Sequence, residues 1–195
     1  MSSANGKPYC IAFGIPTTRE EFFRSFSPPQ SDYTSHWLGG WGQYRAQFIA
    51  DLDVVAPDLE CAGVALVRGL RLGELSDLFS KHKVVVLFSH WTADGVEFFD
   101  GLASTEQILP EIPPAFEGVF DLCVCHPIAL VQKIFASRPP YSVRYVEHEA
   151  APHYWLYFYR DIFSHMKATK SDYLAAFEII AKAHIAMSRS HRRES

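Results

Sequence analysis

A chain of 195 residues, 48% hydrophobic and 21% charged, has the composition of a globular protein that buries a core within one domain, residues 1–195, without disulfide or metal support. Its net charge of −4, with basic clustering confined to Arg189–Arg193, leaves no cationic face to neutralise phosphates, so nucleic acid is not an expected partner. The longest apolar runs, such as Val84–Phe88, fall well short of the roughly 20 residues that cross a bilayer, the opening Met1–Pro8 is polar, and four cysteines are too few for a disulfide scaffold; the expectation is no membrane span, no signal peptide and a reducing, cytoplasmic setting.

Residues 1–7 and 188–195 are expected to be flexible termini. The first apolar run, Tyr9–Phe13, reads as a strand. Thr18-Arg19-Glu20-Glu21 has the form of a capping box opening a short helix. From Ser31 to Leu52, Trp37, Trp41, Tyr44 and Phe48 recur at spacings of three and four, which predicts a longer helix weakened by Gly39, Gly40 and Gly42 and turning its aromatics to the core. A second strand follows at Ala62–Val67. Leu72, Leu75, Leu78 and Phe79 then place an apolar stripe on a helix over Leu72–Lys81, which delivers the chain to Val84–Phe88. That run is apolar throughout, as a strand covered on both faces must be, and is expected to be central.

Pro110–Pro114 reads as a loop, because proline lacks the donor a central strand needs. Two more strands, Val119–Val124 and Ser142–Val146, flank an apolar helix over Pro127–Ala136 that carries Leu130, Val131, Ile134 and Phe135. The aromatic run Tyr154–Tyr159 suits core packing on a helix; were it exposed, it would offer a docking face. Leu174, Phe177, Ala181, His184 and Ile185 mark a C-terminal helix, with Ser171 as N-cap and Asp172 at the positive end of its dipole. The alternation of strands and helices predicts an α/β fold, a mostly parallel central sheet flanked by helices.

Two polar groups stand where apolar strands stop. Val84–Phe88 runs into Ser89-His90-Trp91, and Val119–Val124 into Cys125-His126-Pro127. In open α/β sheets, ligands bind beyond the carboxyl ends of the strands, where these residues converge. A thiol attacks as its thiolate, favoured by a nearby histidine or helix N-terminus, and an imidazole near neutral pH shuttles the proton to a leaving amine. Cys125 has both aids, in His90 and in the helix after Pro127. The same turn directs the Cys125 backbone N–H at the crevice, where a tetrahedral intermediate needs donors.

The order of elements resembles the CHAT family of caspase-like cysteine peptidases, found with tetratricopeptide repeats or in bacterial defence systems. An apolar strand ends in His90; Val96-Glu97-Phe98-Phe99-Asp100-Gly101 follows as strand and turn, then a helix-like Leu102–Ile108. Phe120-Asp121-Leu122-Cys123-Val124-Cys125 is similar to the family's strand ending in Leu-Ser-Ala-Cys, and Ser142–Val146 to its next sheet strand. Phe158–Ile162 resembles the opening of the penultimate helix and Tyr173–Ala186 the final one. The likeness covers roughly Ala62 to Ala186. It implies a caspase-like three-layer sandwich that cleaves a protein substrate without a cofactor, under a regulatory sensor or repeat-protein partner. It also implies His90 as general base and acid, Cys125 as nucleophile, and the backbone N–H groups of Trp91 and Cys125 as the oxyanion hole.

The sequence departs from the family where Trp91 replaces a glycine, where Cys123 and Val124 replace serine and a small residue, and where His126-Pro127 follows the nucleophile. Cys125 trails His90 by 35 residues, against about 50 between His and Cys in caspases. A catalytically silent adaptor with the same fold therefore stands as the alternative. Cys123, Cys125, His126 and His90 also offer metal ligands, but Cys-x-Cys-His on a strand does not turn every side chain to one ion, and no metal is expected. Cys123, which shares a strand face with Cys125, is a weaker candidate nucleophile by position and by the family's order, and His126 is a weaker candidate base because strand neighbours point to opposite faces. His82, His148, His153, His165 and His184 read as surface, loop or packing residues, and Asp94 and Asp100 as turn formers.

Overall fold

Five consecutive buried side chains make Val84–Phe88 a strand with no solvent face, and it occupies the middle of the sheet. The computed structural model describes residues 6–25, 40–92, 95–125, 127–145 and 151–191. Its strands are β1 (Tyr9–Phe13), β2 (Val64–Val67), β3 (Val84–Phe88), β4 (Trp91–Thr92), β5 (Gly95–Phe98), β6 (Gly101–Ala103), β7 (Val119–Cys123) and β8 (Ser142–Tyr145). Five of them form the main sheet in the order β2-β1-β3-β7-β8, every neighbouring pair parallel. The other three, β4-β5-β6, make a small antiparallel sheet inserted after β3.

Helices cover both faces of the main sheet, as parallel strands require. They are α1 (Arg19–Ser25), α2 (Gly40–Tyr44), α3 (Ala50–Cys61), α4 (Leu75–Lys81), α5 (Thr105–Ile108), α6 (Ile128–Ala136), α7 (Pro152–Thr169) and α8 (Tyr173–His191). Alternation along the strands divides the core in two. Ile11, Phe13, Val84, Val86, Phe88 and Cys123 pack with residues of α1, α2, α3, α7 and α8. Cys10, Ala12, Val85, Leu87, Phe120, Leu122 and Val124 pack with α4, α5, α6 and the small sheet. The result is a three-layer α/β sandwich.

The early capping box forms as the residue order predicts: Thr18 Oγ1 accepts from the Glu21 N–H at 3.2 Å, and Glu21 Oε2 accepts from the Thr18 N–H at 3.3 Å. Several expected boundaries move. The Ser31–Leu52 helix is seen from Gly40, with residues 31–39 outside the described set, and it continues past Leu52 to Cys61 through a π-helical turn at Arg45–Ile49. Leu52, Val55, Ala56 and Leu59 carry its buried stripe across Pro57, a residue that reads as a helix breaker until packing outweighs its missing donor.

Leu102 is not helical. It pairs with Glu97 in β6, and α5 begins at Thr105 behind a Ser104–Gln107 capping box. The second strand starts at Val64, since Ala62 and Gly63 close α3, and Leu72–Glu74 is a 3₁₀ turn ahead of α4. Phe158 lies inside α7, which begins at Pro152. The last helix is capped by Asp172, whose Oδ1 accepts from the Ala175 N–H at 2.9 Å, while Ser171 bonds to Thr169. Phe135 is half exposed and not a core residue. At the ends, Lys7 Nζ donates to the Val64 carbonyl at 3.0 Å and α8 runs to His191, so both expected flexible segments are partly tied down.

Candidate active site

The parallel register of β3 and β7 decides which residues meet at the carboxyl rim of the sheet. Phe88 stands opposite Cys123, and the Ser89 N–H donates to the Cys123 carbonyl at 3.1 Å, carrying the pairing one residue further. β3 and β7 pair as far as Phe88 and Cys123, and His90 and Cys125 each follow two residues later at the same rim, Val124 and Cys125 in a bend. Phe88 and Cys123, two residues earlier, both belong to the core cluster beneath α7 and α8, whereas Val124 belongs to the opposite one. Both residues are partly buried.

α6 opens just behind Cys125, with Pro127 as N-cap at φ −77° and its carbonyl accepting from the Val131 N–H at 2.9 Å. The first turn of that helix carries the positive end of its dipole near the thiol. His126 lies outside the described residues, and with it the metal reading and the histidine-neighbour reading that used it. Among the described residues, no group of three His, Cys, Asp or Glu is placed to hold a metal ion.

The order β2-β1-β3-β7-β8 reverses direction between β1 and β3, the place where such folds usually leave a ligand crevice. Here that crevice is filled. The Gly14 N–H donates to the Phe88 carbonyl at 3.1 Å, and a Cβ on Gly14 would run into the carbonyl oxygen of Glu97. Ser89 Oγ donates to that same oxygen at 2.5 Å, and the Phe99 N–H donates to the Leu70 carbonyl at 2.8 Å. The small sheet thus sits over β1 and β3 and leaves the β3–β7 rim as the one carrying His90 and Cys125.

The same sheet places Trp91. The Glu97 N–H donates to the His90 carbonyl at 2.9 Å, so His90–Glu97 is a hydrogen-bonding rung and Trp91–Val96 the next, non-hydrogen-bonding one. The Trp91 N–H is accordingly turned away from β5. Its indole packs against the α4–α6 side of the core with Val96, on the face opposite His90.

The other thiols divide by burial. Cys10 is sealed in β1, and burial pushes it up to about 12. Cys123 is sealed beneath Cys125, where burial first and then the Asp121 charge hold it well above a normal thiol. Cys61 is exposed, with Lys167 Nζ at 3.1 Å from its sulfur. Two rungs below Cys123, Asp121 is fully buried inside β7; its Oδ2 accepts from Arg144 Nε at 3.0 Å and from the Tyr173 hydroxyl at 2.5 Å. This network ties β7, β8 and α8 together under the rim, and sequence reasoning assigned it no role, although a charge inside an apolar strand was its signal.

The remaining histidines are occupied elsewhere or lie outside the described residues. His82 Nδ1 meets the Lys7 carbonyl at 2.7 Å, and His184 Nε2 meets Asp161 at 3.1 Å between Tyr154 and Phe158. His153 is exposed and His165 partly buried on α7, while His148 is not described. Asp100 Oδ1 accepts from the Leu72 N–H at 3.1 Å and caps that turn; Asp94 is outside the described set. Glu97, which sequence reasoning passed over, sits across the rung from His90. No family model matches the chain, and neither a curated protein nor a solved structure is significantly similar to it.

Proposed function

We propose that the chain is a cysteine endopeptidase working through a His90–Cys125 dyad. The observation that supports the reading is that β3 and β7 are parallel neighbours paired as far as Phe88 and Cys123, so that His90 and Cys125 both follow the same rim two residues later. His90 takes the proton from Cys125 as sulfur adds to the scissile carbonyl carbon. The oxyanion receives the N–H groups of Cys125 and Trp91, and the latter's position on a non-hydrogen-bonding rung leaves it turned away from β5. The amine then leaves with the proton held by His90. Water, deprotonated by the same ring, cleaves the thioester and restores the thiol.

Trp91 in place of glycine does not obstruct this scheme, because its side chain belongs to the core on the far side of the strand. The protein substrate and a regulatory partner remain part of the same proposal, implied by the resemblance to CHAT peptidases.

Iodoacetamide at pH 7 tests the dyad. Cys10 and Cys123 are buried, so the comparison is between Cys125 and the exposed Cys61. Cys125 labels at least about tenfold faster, and His90→Ala removes that advantage. Equal labelling of the two, insensitive to His90→Ala, removes the peptidase reading and leaves the fold as an interaction module.

A further inference from the structure

Three segments distant in sequence meet on the ring of Phe99, between β5 and β6. Arg24, in the last turn of α1, holds its guanidinium 4.4 Å from the ring centroid, and Arg71, just ahead of the Leu72–Glu74 turn, holds its own at 5.2 Å. The Phe99 N–H fixes the ring's backbone on the Leu70 carbonyl at 2.8 Å. Beside it Gly69 takes φ +63°, and a Cβ there would stand 3.5 Å from the ring. Both arginines are exposed, and neither makes an ion pair among the described residues. The acids on the same three segments are turned to backbone donors instead. Glu21 Oε2 accepts from the Thr17 and Thr18 N–H groups at 2.6 and 3.3 Å, Glu74 Oε2 from the Arg71 N–H at 3.0 Å, and Asp100 Oδ1 from the Leu72 N–H at 3.1 Å.

We infer that Arg24 and Arg71 form a docking site for an acidic segment of a partner protein, each guanidinium taking one carboxylate. A guanidinium stacked on an aromatic face is held through its π surface and keeps its N–H fork for a bidentate acceptor. The distances of 4.4 and 5.2 Å to one shared centroid keep the two forks within about 10 Å of each other. On an extended peptide, side chains two residues apart lie on one face about 7 Å apart, a spacing that two such forks span. With a net charge of −4 over the chain, the attraction is local to this spot, which suits a short acidic peptide and not a polyanion that needs a run of cations. The site uses neither His90 nor Cys125, so it stands or falls apart from the dyad.

Nitrogen–proton NMR of the arginine Nε–H groups tests it on the whole chain at low salt. The probes are the peptide Ser-Glu-Val-Glu-Ser and, in separate arms, Ser-Gln-Val-Gln-Ser, free glutamate and inorganic phosphate. The Glu peptide is expected to shift Arg24 and Arg71 along one saturation curve, and the Gln peptide to shift neither. Arg24→Gln or Arg71→Gln, both at exposed positions, weakens the Glu peptide by about fivefold, the upper range for an exposed ion pair. Phe99→Leu weakens it with both charges kept. Equal shifts at Arg24, Arg71 and Arg138 would show general screening and overturn the site. Separate curves for the two arginines overturn it as well, and so does free glutamate or phosphate binding as tightly as the peptide, because a single anion would then suffice.

Discussion

Asp121 illustrates how one residue governs the ground beneath the candidate nucleophile. A carboxylate in the middle of a buried strand is stabilised only by its partners, and here two reach Oδ2, Arg144 from β8 and Tyr173 from α8, while Oδ1 has none among the described residues. Arg144 is further held over the ring of Phe177 on α8. Removing one member of such a pair leaves an uncompensated buried charge, so Arg144→Met is expected to destabilise the fold by about 3–5 kcal/mol in urea denaturation. Replacing both, as Asp121→Leu with Arg144→Met, costs less than Arg144→Met alone. A double variant weaker than the single one would show that the pair does more than satisfy itself. At this scale the sequence located His90 and Cys125 by where apolar runs stop, but it offered no pairing for Asp121, whose partners lie on other elements.

Elements are held in place at this rim by close backbone approach. Gly14 has room for no side chain, because the Glu97 carbonyl and the Ser89 side chain occupy the space a Cβ would take. Gly14→Ala should therefore push β5 off the end of β1, lowering stability by about 1–3 kcal/mol and slowing Cys125 labelling as the His90–Glu97 rung shifts. Gly73→Ala is the control, since a Cβ there meets nothing within 4 Å; it is expected to be neutral in both measurements. Equal effects of the two would detach the hairpin from the site. A cap gives a second check at this scale: Asp172→Ala removes the acceptor for the Ala175 N–H and should cost about 1 kcal/mol by thermal or urea unfolding, whereas Ser171→Ala should not.

For the molecule as a whole, the buried acids set the pH dependence of stability. Glu97 holds its proton up to about pH 8 in the folded state, against an ordinary value of 4.5. Between those values the folded chain binds more protons than the unfolded one, so stability falls as pH rises through that window. Cys10, raised from 9.0 to about 12 by burial, extends the decline above pH 9. The urea midpoint of the wild type should drop from pH 5 to pH 8, and Glu97→Gln should flatten most of that drop. A wild-type midpoint that rises over the same interval would mean that Glu97 is already paired with a cation in the resting fold. No described helix is long and apolar enough to cross a membrane.

Apolar periodicity by itself determined the five main strands, the central place of Val84–Phe88 and the layered α/β class, because burial on both faces writes an unbroken apolar run into the chain. It also put His90 and Cys125 at strand ends. Only the tertiary structure decided that β3 and β7 are neighbours in parallel register, that Pro57 stays inside a helix, and that a small antiparallel sheet closes the β1–β3 crevice. Register and strand order depend on pairings between segments distant in sequence, and no local spacing encodes them.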